Sequence, residues 1–307
     1  MMTIDGVSVI IPTYDDISYL GQALDSIIEQ SVDSIEVEII LVDSSSTEIA
    51  ERIANSYGTN VRYDWMPPEG VAAARNRGIE RATHEVIGFC DADDYWHEDK
   101  LRYQLPRIEA GYDIVYSGEY LLTDGAAFRL SSLSIKNSDN QHINHFRNGG
   151  IGSRSVLVRR KCLDDQRFDE RFTVREDPHL WTRLLAEYSV SRVPRPLSYK
   201  RRRSDSLTAD RDLGFRMEMM EIKDLVDRYP ELKPYRSERE VRAKLQYAKT
   251  LISDENRSRD AQRVLLDLLQ QKHYSPRLVF LSLISLLPIM NKQVIRLLQE
   301  IQWKITN

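Results

Sequence analysis

Asp91-Ala92-Asp93-Asp94 puts three carboxylates into one short stretch of chain. Carboxylates this close repel one another, and a hard divalent cation beside a substrate's phosphates, Mg2+ or Mn2+, is the usual remedy. The cluster directly follows the apolar run Val86-Ile87-Gly88-Phe89-Cys90. In open α/β sheets ligands bind outside the carboxyl ends of strands, so a site is expected here. The competing reading is a turn in which Asp93 or Asp94 caps a helix running toward Leu101 and Leu105. A second acid pair, Glu176-Asp177, stands before Pro178. That order predicts Asp177 as a helix N-cap with proline at the first helical position, a place that keeps a carboxylate's pKa low. The basic run Lys200-Arg201-Arg202-Arg203 reads by default as a solvated face. His142 and His145 have loose ligand-like spacing without carboxylate support and read as loop residues.

These groups need elements to hold them. Val7-Ser8-Val9-Ile10-Ile11-Pro12 reads as a strand buried on both faces and ended by Pro12. It runs into Pro12-Thr13-Tyr14-Asp15, with neither a Walker motif nor a G-x-G-x-x-G turn. A tyrosine there can stack on a base, and a threonine can hydrogen-bond it. Leu20, Ala23, Leu24, Ile27 and Ile28 follow a helical period. A strand over 37–42 stops at Asp43 and a serine cluster, Ile49 and Ile53 suggest a helix, and a short strand surrounds Arg62. Gly70 precedes a helix over 71–82. This alternation predicts a mostly parallel sheet flanked by helices on both sides. Residues 113–117 and 155–158 read as strands and 178–187 as a helix, whereas 121–148, polar and without a period, predicts a loop or lid. Past Leu213 only helical patterns remain, broken near Pro230, Pro234, Pro276 and Pro288. The expected division is a domain over 1–212 and a helical C-terminal region over 213–307.

A chain of 307 residues with 41% apolar and 29% charged residues is long enough for such a domain and an appendage. Its net charge of −4 gives no electrostatic footprint for nucleic acid. Cys90 and Cys162 lack the spacing of a zinc site or a disulfide framework, which predicts a reducing, cytoplasmic location. Asp5 stands where a signal peptide would be basic or apolar, so none is expected. The apolar stretch 278–290 contains serines and Pro288 and is too short to span a bilayer. Lys272, Arg277, Lys292 and Arg296 flank it, and Trp303 and Lys304 follow. Residues 278–304 therefore predict either contact with a membrane surface, at the inner face of the cell membrane, or a helix packed on the catalytic domain or a partner chain.

Val9-Ile10-Ile11-Pro12-Thr13-Tyr14, Leu41-Val42-Asp43-Ser44, Gly70 with Ala74-Arg75-Asn76-Arg77-Gly78, and Asp91-Ala92-Asp93-Asp94 follow one another at regular spacing. Phe168-Asp169-Glu170, then Glu176-Asp177 with Leu180-Trp181-Thr182-Arg183-Leu184, then Tyr199-Lys200-Arg201 continue the series. Together they resemble the motifs of the family 2 glycosyltransferases, over residues 7–210. The resemblance implies the GT-A fold, a Rossmann-like α/β architecture, and an inverting, metal-dependent hexosyltransferase-type reaction. It implies a nucleoside-diphosphate-sugar donor and a hydroxyl acceptor on a glycan or lipid-linked glycan. By the same resemblance Pro12, Thr13, Tyr14 and Asp43 hold the base, Arg75 reaches the base or phosphates, and Asp91-Ala92 line the donor. Asp93, with Asp91, coordinates Mg2+ or Mn2+, while Asp177, or else Glu176, is the general base. The run from Lys200 to Arg203 lies on a flexible segment near the phosphates. Three departures stand out: Ser44-Ser45-Ser46 where an acid and a glycine are common, Pro178 where a bulkier residue is usual, and no late histidine, for which Arg203 substitutes. The alternatives are a nucleotidyltransferase of related fold, which needs a basic glycine-rich loop where Asp15-Asp16 stand, and a non-catalytic binding domain.

Overall fold

The computed structural model describes residues 4–15, 17–30, 32, 35–123, 126–130, 140–202, 210–252, 254 and 257–270. The chain divides into two compact units between Ser206 and Leu207. In the first, β1 (Gly6–Thr13), α1 (Leu20–Ile28), β2 (Glu36–Asp43), α2 (Ile49–Ser56), β3 (Val61–Trp65), α3 (Val71–Arg81) and β4 (Val86–Phe89) alternate. There follow β5 (Tyr95–Trp96), α4 (Lys100–Glu109), β6 (Ile114–Thr123), β7 (Ala126–Leu130) and α5 (Gln141–Asn148). The unit closes with β8 (Val156–Arg159), α6 (Lys161–Asp164), α7 (Glu176–Glu187) and β9 (Val190–Arg201).

The nine-stranded sheet has the order β3-β2-β1-β4-β8-β6-β9-β5, with β7 alongside β6. Its first four strands are parallel, as the alternation predicts. Beyond β4 the sheet is mixed: β8 runs antiparallel to β4 and β6, β9 parallel to β6, and β5 antiparallel to β9. Successive strand residues point to opposite faces, and the chain fills both. Ile10, Ile40 and Val42 pack with α3 alanines and with Leu180 and Trp181 of α7. Val9, Ile11, Ile39 and Leu41 pack on the other face with Leu20 and Leu24 of α1 and with Leu101 and Leu105 of α4. Gly78 lets α3 lie hard against β1, because a Cβ there would sit 2.3 Å from Ile10 Cγ2.

Pro12 does not end β1, which pairs with β2 through Thr13 and Asp43. Its β4 neighbour has already stopped opposite Ile10, so the missing N–H breaks no ladder there. The predicted loop over 121–148 is largely ordered elements. β6 continues to Thr123 because its outer half is paired with both β9 and β7, and α5 occupies Gln141–Asn148. Residues 124–125 and 131–139 of that stretch lie outside the described residues. His142 and His145 are thus buried helix residues, and His145 Nδ1 lies 2.9 Å from Thr182 Oγ1 of α7.

Neither Asp93 nor Asp94 caps a helix: β5 intervenes, and α4 starts at Lys100. Two-residue β5 is gripped by its rings. Tyr95, Tyr199 and Tyr120 stand in register on β5, β9 and β6. Their rings stack with centroids 4.3 and 4.8 Å apart.

The second unit contains α8 (Arg211–Arg228), α9 (Arg236–Ile252) and α10 (Ser258–Gln270), with a 3-10 turn over Pro230–Tyr235. Asp210 caps α8 by accepting from the N–H groups of Asp212 and Leu213. Ala248, Leu251, Ile252, Ala261, Leu265 and Leu268 make an apolar seam between α9 and α10. Among the described residues no helix is long and apolar enough to cross a membrane. The segment 278–304, for which membrane contact is expected, lies outside them.

Candidate active site

The carboxyl ends of the parallel strands form two neighbouring clusters. The first lies across β1, β2 and β3, where Thr13, Asp43 and Trp65 share one register row. Pro12 and Thr13 are buried, whereas Tyr14 is 59% exposed. Buried Asp43 accepts from the Ser45 N–H at 2.9 Å and from the Tyr63 hydroxyl at 2.8 Å. Burial and that bond to a carboxylate drive the Tyr63 pKa far up. Ser45 ties the cluster together, since its Oγ accepts from the Asp15 N–H at 2.7 Å and its carbonyl from Trp65 Nε1 at 3.3 Å. Asp15, in the left-handed region with φ 51°, accepts from the Ser46 N–H. The serines standing where an acid and a glycine are common thus close the loop after β2 onto the loop after β1. Trp65, which sequence reasoning passed over, is 54% exposed although its indole is tethered. Its position at a strand's carboxyl end was the available signal.

The second cluster is an alternating run of charges. Arg75, 2% exposed on α3, donates from Nη2 to Asp91 at 2.7 Å and from Nη1 to Glu176 at 2.6 Å and Asp177 at 3.0 Å. The other oxygen of Asp91 lies 3.5 Å from Arg154 Nη2. Arg154 also donates from Nε to Asp94 and from Nη1 to Glu119 at 3.0 Å. Asp94 accepts in addition from the Arg201 N–H at 2.8 Å, and its own N–H closes the acid turn onto the Asp91 carbonyl. Arg201 holds the turn from outside, donating to the Asp93 carbonyl and to Gln22 while lying 3.7 Å over the Tyr19 ring. Lys200 and Arg201 therefore belong to a strand and not to a free segment, and Arg203 lies outside the described residues. Ala92 is buried in the same turn. Sequence reasoning missed Arg154 and Glu119.

Asp177 is not an N-cap. α7 begins two residues earlier than expected, at Glu176, after Arg175 in the left-handed region at φ 73°, which puts Asp177 inside the first turn. Pro178 still costs no helix bond, because the first four N–H groups of a helix have no internal acceptor. The Asp177 carboxylate faces Arg75 and accepts the Ser153 N–H at 3.1 Å. Ser153 and Arg154 arrive together on the connection from α5 to β8. Gly149 and Gly150, at φ 66° and 111°, make the bend in that connection that side chains resist.

Burial pushes up the pKa of Asp91, Asp93, Asp94, Glu176 and Asp177, and the arginines decide which rise stands. For Asp91 the guanidiniums of Arg75 and Arg154 outweigh burial and hold it at about 2. Asp177 is likewise held low against burial, by Arg75 and by bonds to Glu176 and Ser153. Burial and its neighbour Asp177 push Glu176 up to about 7, against Arg75. Burial lifts Asp94 to about 6, opposed by Arg154. Asp93 is pushed up to about 7 by burial and by Asp94 and Asp91, and it makes no ion pair among the described residues. A carboxylate lifted by two others beside it, with no cation of its own, fits an oxygen ligand for Mg2+ or Mn2+. His97, Glu98 and Asp99 form a separate group of ligand-type atoms, but His97 Nδ1 already accepts the Asp99 N–H ahead of α4.

The match to a known family covers the acid turn and Arg154 but stops before Glu176, Asp177 and Arg201. The model of the family described as glycosyl transferase family 2 matches residues 8–163. The amylovoran biosynthesis glycosyltransferase AmsB of Erwinia amylovora is 31% identical over 191 residues, 57% of this chain and 62% of its own length. The chain thus spans less than two-thirds of that relative. In fold it is similar to S. aureus TarS 1-349 solved with UDP-GlcNAc (TM-score 0.60, 16% identity, 91% of this chain and 90% of that one). It is similar as well to the mannosyltransferase PcManGT from Pyrobaculum calidifontis solved with GDP-Man and Mn2+ (TM-score 0.60, 18% identity, 90% and 78%). The matched residues run from the base of β1 through the acid turn and Arg154 to α6, and on that ground the chain belongs to glycosyl transferase family 2.

Proposed function

We propose that the chain transfers a sugar from a nucleoside-diphosphate sugar to a hydroxyl of a glycan under construction, with inversion at the anomeric carbon. One observation carries this reading: the single guanidinium of Arg75 joins Asp91, in the acid turn, to Glu176 and Asp177 on α7. A place for the leaving diphosphate and a base for the incoming hydroxyl then adjoin one another. The donor's base would lie at Pro12, Thr13, Tyr14 and Asp43, with the Trp65 indole as a wall. Asp93 would hold Mg2+ or Mn2+ on the diphosphate, where the cation supplies Lewis-acid stabilisation of the leaving group. Asp91, with a guanidinium on each oxygen, orients Arg75 instead.

Of the two carboxylates on α7, Asp177 is the more open, with a side chain 18% exposed against 10% for Glu176. The Ser153 N–H and Arg75 fix its direction. Asp177 therefore takes the acceptor's proton as the new bond forms. The loop after β1 closes through Asp15 on Ser45 and Ser46 and offers no basic glycine-rich cradle, which counts against nucleotidyl transfer. The name of the Erwinia amylovora relative supports a polysaccharide acceptor. The apolar, basic-flanked segment 278–304 supports an acceptor held at a membrane surface, which flotation with anionic vesicles tests.

Thermal shift against UDP-, GDP- and dTDP-sugars with Mn2+, followed by assay of released nucleoside diphosphate, tests the main reading. One donor should raise the melting temperature and be consumed. A complete set of donors that neither stabilises the protein nor yields free diphosphate would overturn it.

A further inference from the structure

Arg154 has a carboxylate opposite each of its three guanidinium nitrogens: Asp94 at Nε, Glu119 at Nη1 and Asp91 at Nη2. They come from two separate parts of the fold, the acid turn and β6. The arginine is only 7% exposed, so water screens these contacts little. Guanidinium stays charged at any working pH, and its planar fork fixes direction as well as charge. Arg154 thus pairs with two of the three acids in Asp91-Ala92-Asp93-Asp94 and makes no ion pair with Asp93.

We propose that Arg154 is a positioning residue: an internal counter-cation that keeps Asp91 and Asp94 out of metal coordination and aims Asp91 at Arg75. The inference rests on the reading of this site as a metal-assisted transferase. Two consequences follow from the geometry. Asp91, Asp93 and Asp94 do not converge as a ligand group while Arg154 is present. Without it Asp94 loses its partner cation and Asp91 keeps, among the described residues, only its pair with Arg75, so both carboxylates can turn toward a divalent ion at Asp93. Without Arg154, Asp91 is also free to turn from Arg75, and Arg75 is one of the two groups that fix Asp177. Metal affinity should rise while turnover falls. A residue that merely packs the fold would move both downward when lost.

The test titrates the full-length wild type, Arg154→Met and Arg154→Lys with Mn2+ alone at pH 8, following free Mn2+ by electron paramagnetic resonance. Nucleoside diphosphate release is assayed in parallel. Arg154→Met should bind Mn2+ about tenfold or more tightly than wild type, the scale on which partners of metal-binding carboxylates alter affinity. Its turnover should drop by a similar factor or more. Lysine keeps the charge but cannot engage three carboxylates at once, so Arg154→Lys should lie between and guards against a methionine variant that fails to fold. Mn2+ affinity at or below wild type in the folded variants overturns the proposal. The titration needs no donor, so its failure is distinct from failure of the transferase reading.

Discussion

The guanidinium of Arg75 lies 3.0 Å from Asp177 across 102 positions of sequence, and Ser153 fixes that carboxylate's other oxygen. Asp177→Asn keeps the shape and removes the proposed base. Turnover should fall by about 10²–10⁴-fold, the usual contribution of general base catalysis, with nucleotide binding retained. Because the carboxylate does not cap α7, its removal should leave the helix start intact. Kinetics beside a nucleotide-induced thermal shift measure both. Wild-type turnover in the asparagine variant would move the base to Glu176.

Glu176 gives the fold a pH dependence of definite sign. Its pKa rises from an ordinary 4.5 to about 7 in the folded chain. The stability this confers is complete below about pH 4.5 and is lost as pH rises through 7. Glu176→Gln mimics the protonated form, accepting from Arg75 and donating to Asp177. Its melting temperature should match wild type near pH 5 and exceed it at pH 8. The reverse order, or parallel curves, would show that Glu176 is ionised throughout.

Trp65 offers an optical report on the proposed base subsite. Trp96 and Trp181 are buried, whereas Trp65 is exposed in the register row of Asp43. In a Trp303→Phe background, saturating nucleoside diphosphate should quench indole emission, and Trp65→Phe should abolish the change. Quenching that survives Trp65→Phe would place the base elsewhere.

Gly78→Ala tests the approach of α3 to β1. Its Cβ would meet Ile10 Cγ2 at 2.3 Å, and overpacking of this kind costs about 1–3 kcal/mol. Denaturant melts should show a loss in that range, although alanine favours helix. No loss would mean that α3 can shift without consequence.

The sequence reveals the site's acids more readily than what restrains them. Hydrophobic runs place β1, β2, β4 and the acid turn, although Pro12, which the ladder tolerates at that position, does not mark the end of β1. Arg154 looks like a surface arginine, because its burial depends on carboxylates 35 to 63 positions away. α5 is hidden because its inward side is His142, His145 and Phe146, of which only the phenylalanine is apolar. The start of α7 turns on the left-handed backbone of Arg175, which no propensity favours for arginine.

The stacked rings of Tyr95, Tyr199 and Tyr120 bear on the entropy of binding. A two-residue strand has too few backbone bonds to hold itself, and the turn before it would otherwise move freely. Ordering a residue costs about 1–2 kcal/mol in backbone freedom. With Tyr95 stacked on Tyr199 of the neighbouring strand and Arg201 bonded to both Asp93 and Asp94, that loss is incurred when the chain folds. On the proposed reading, an arriving diphosphate then meets an acid turn already ordered, and more of its contact energy appears as affinity.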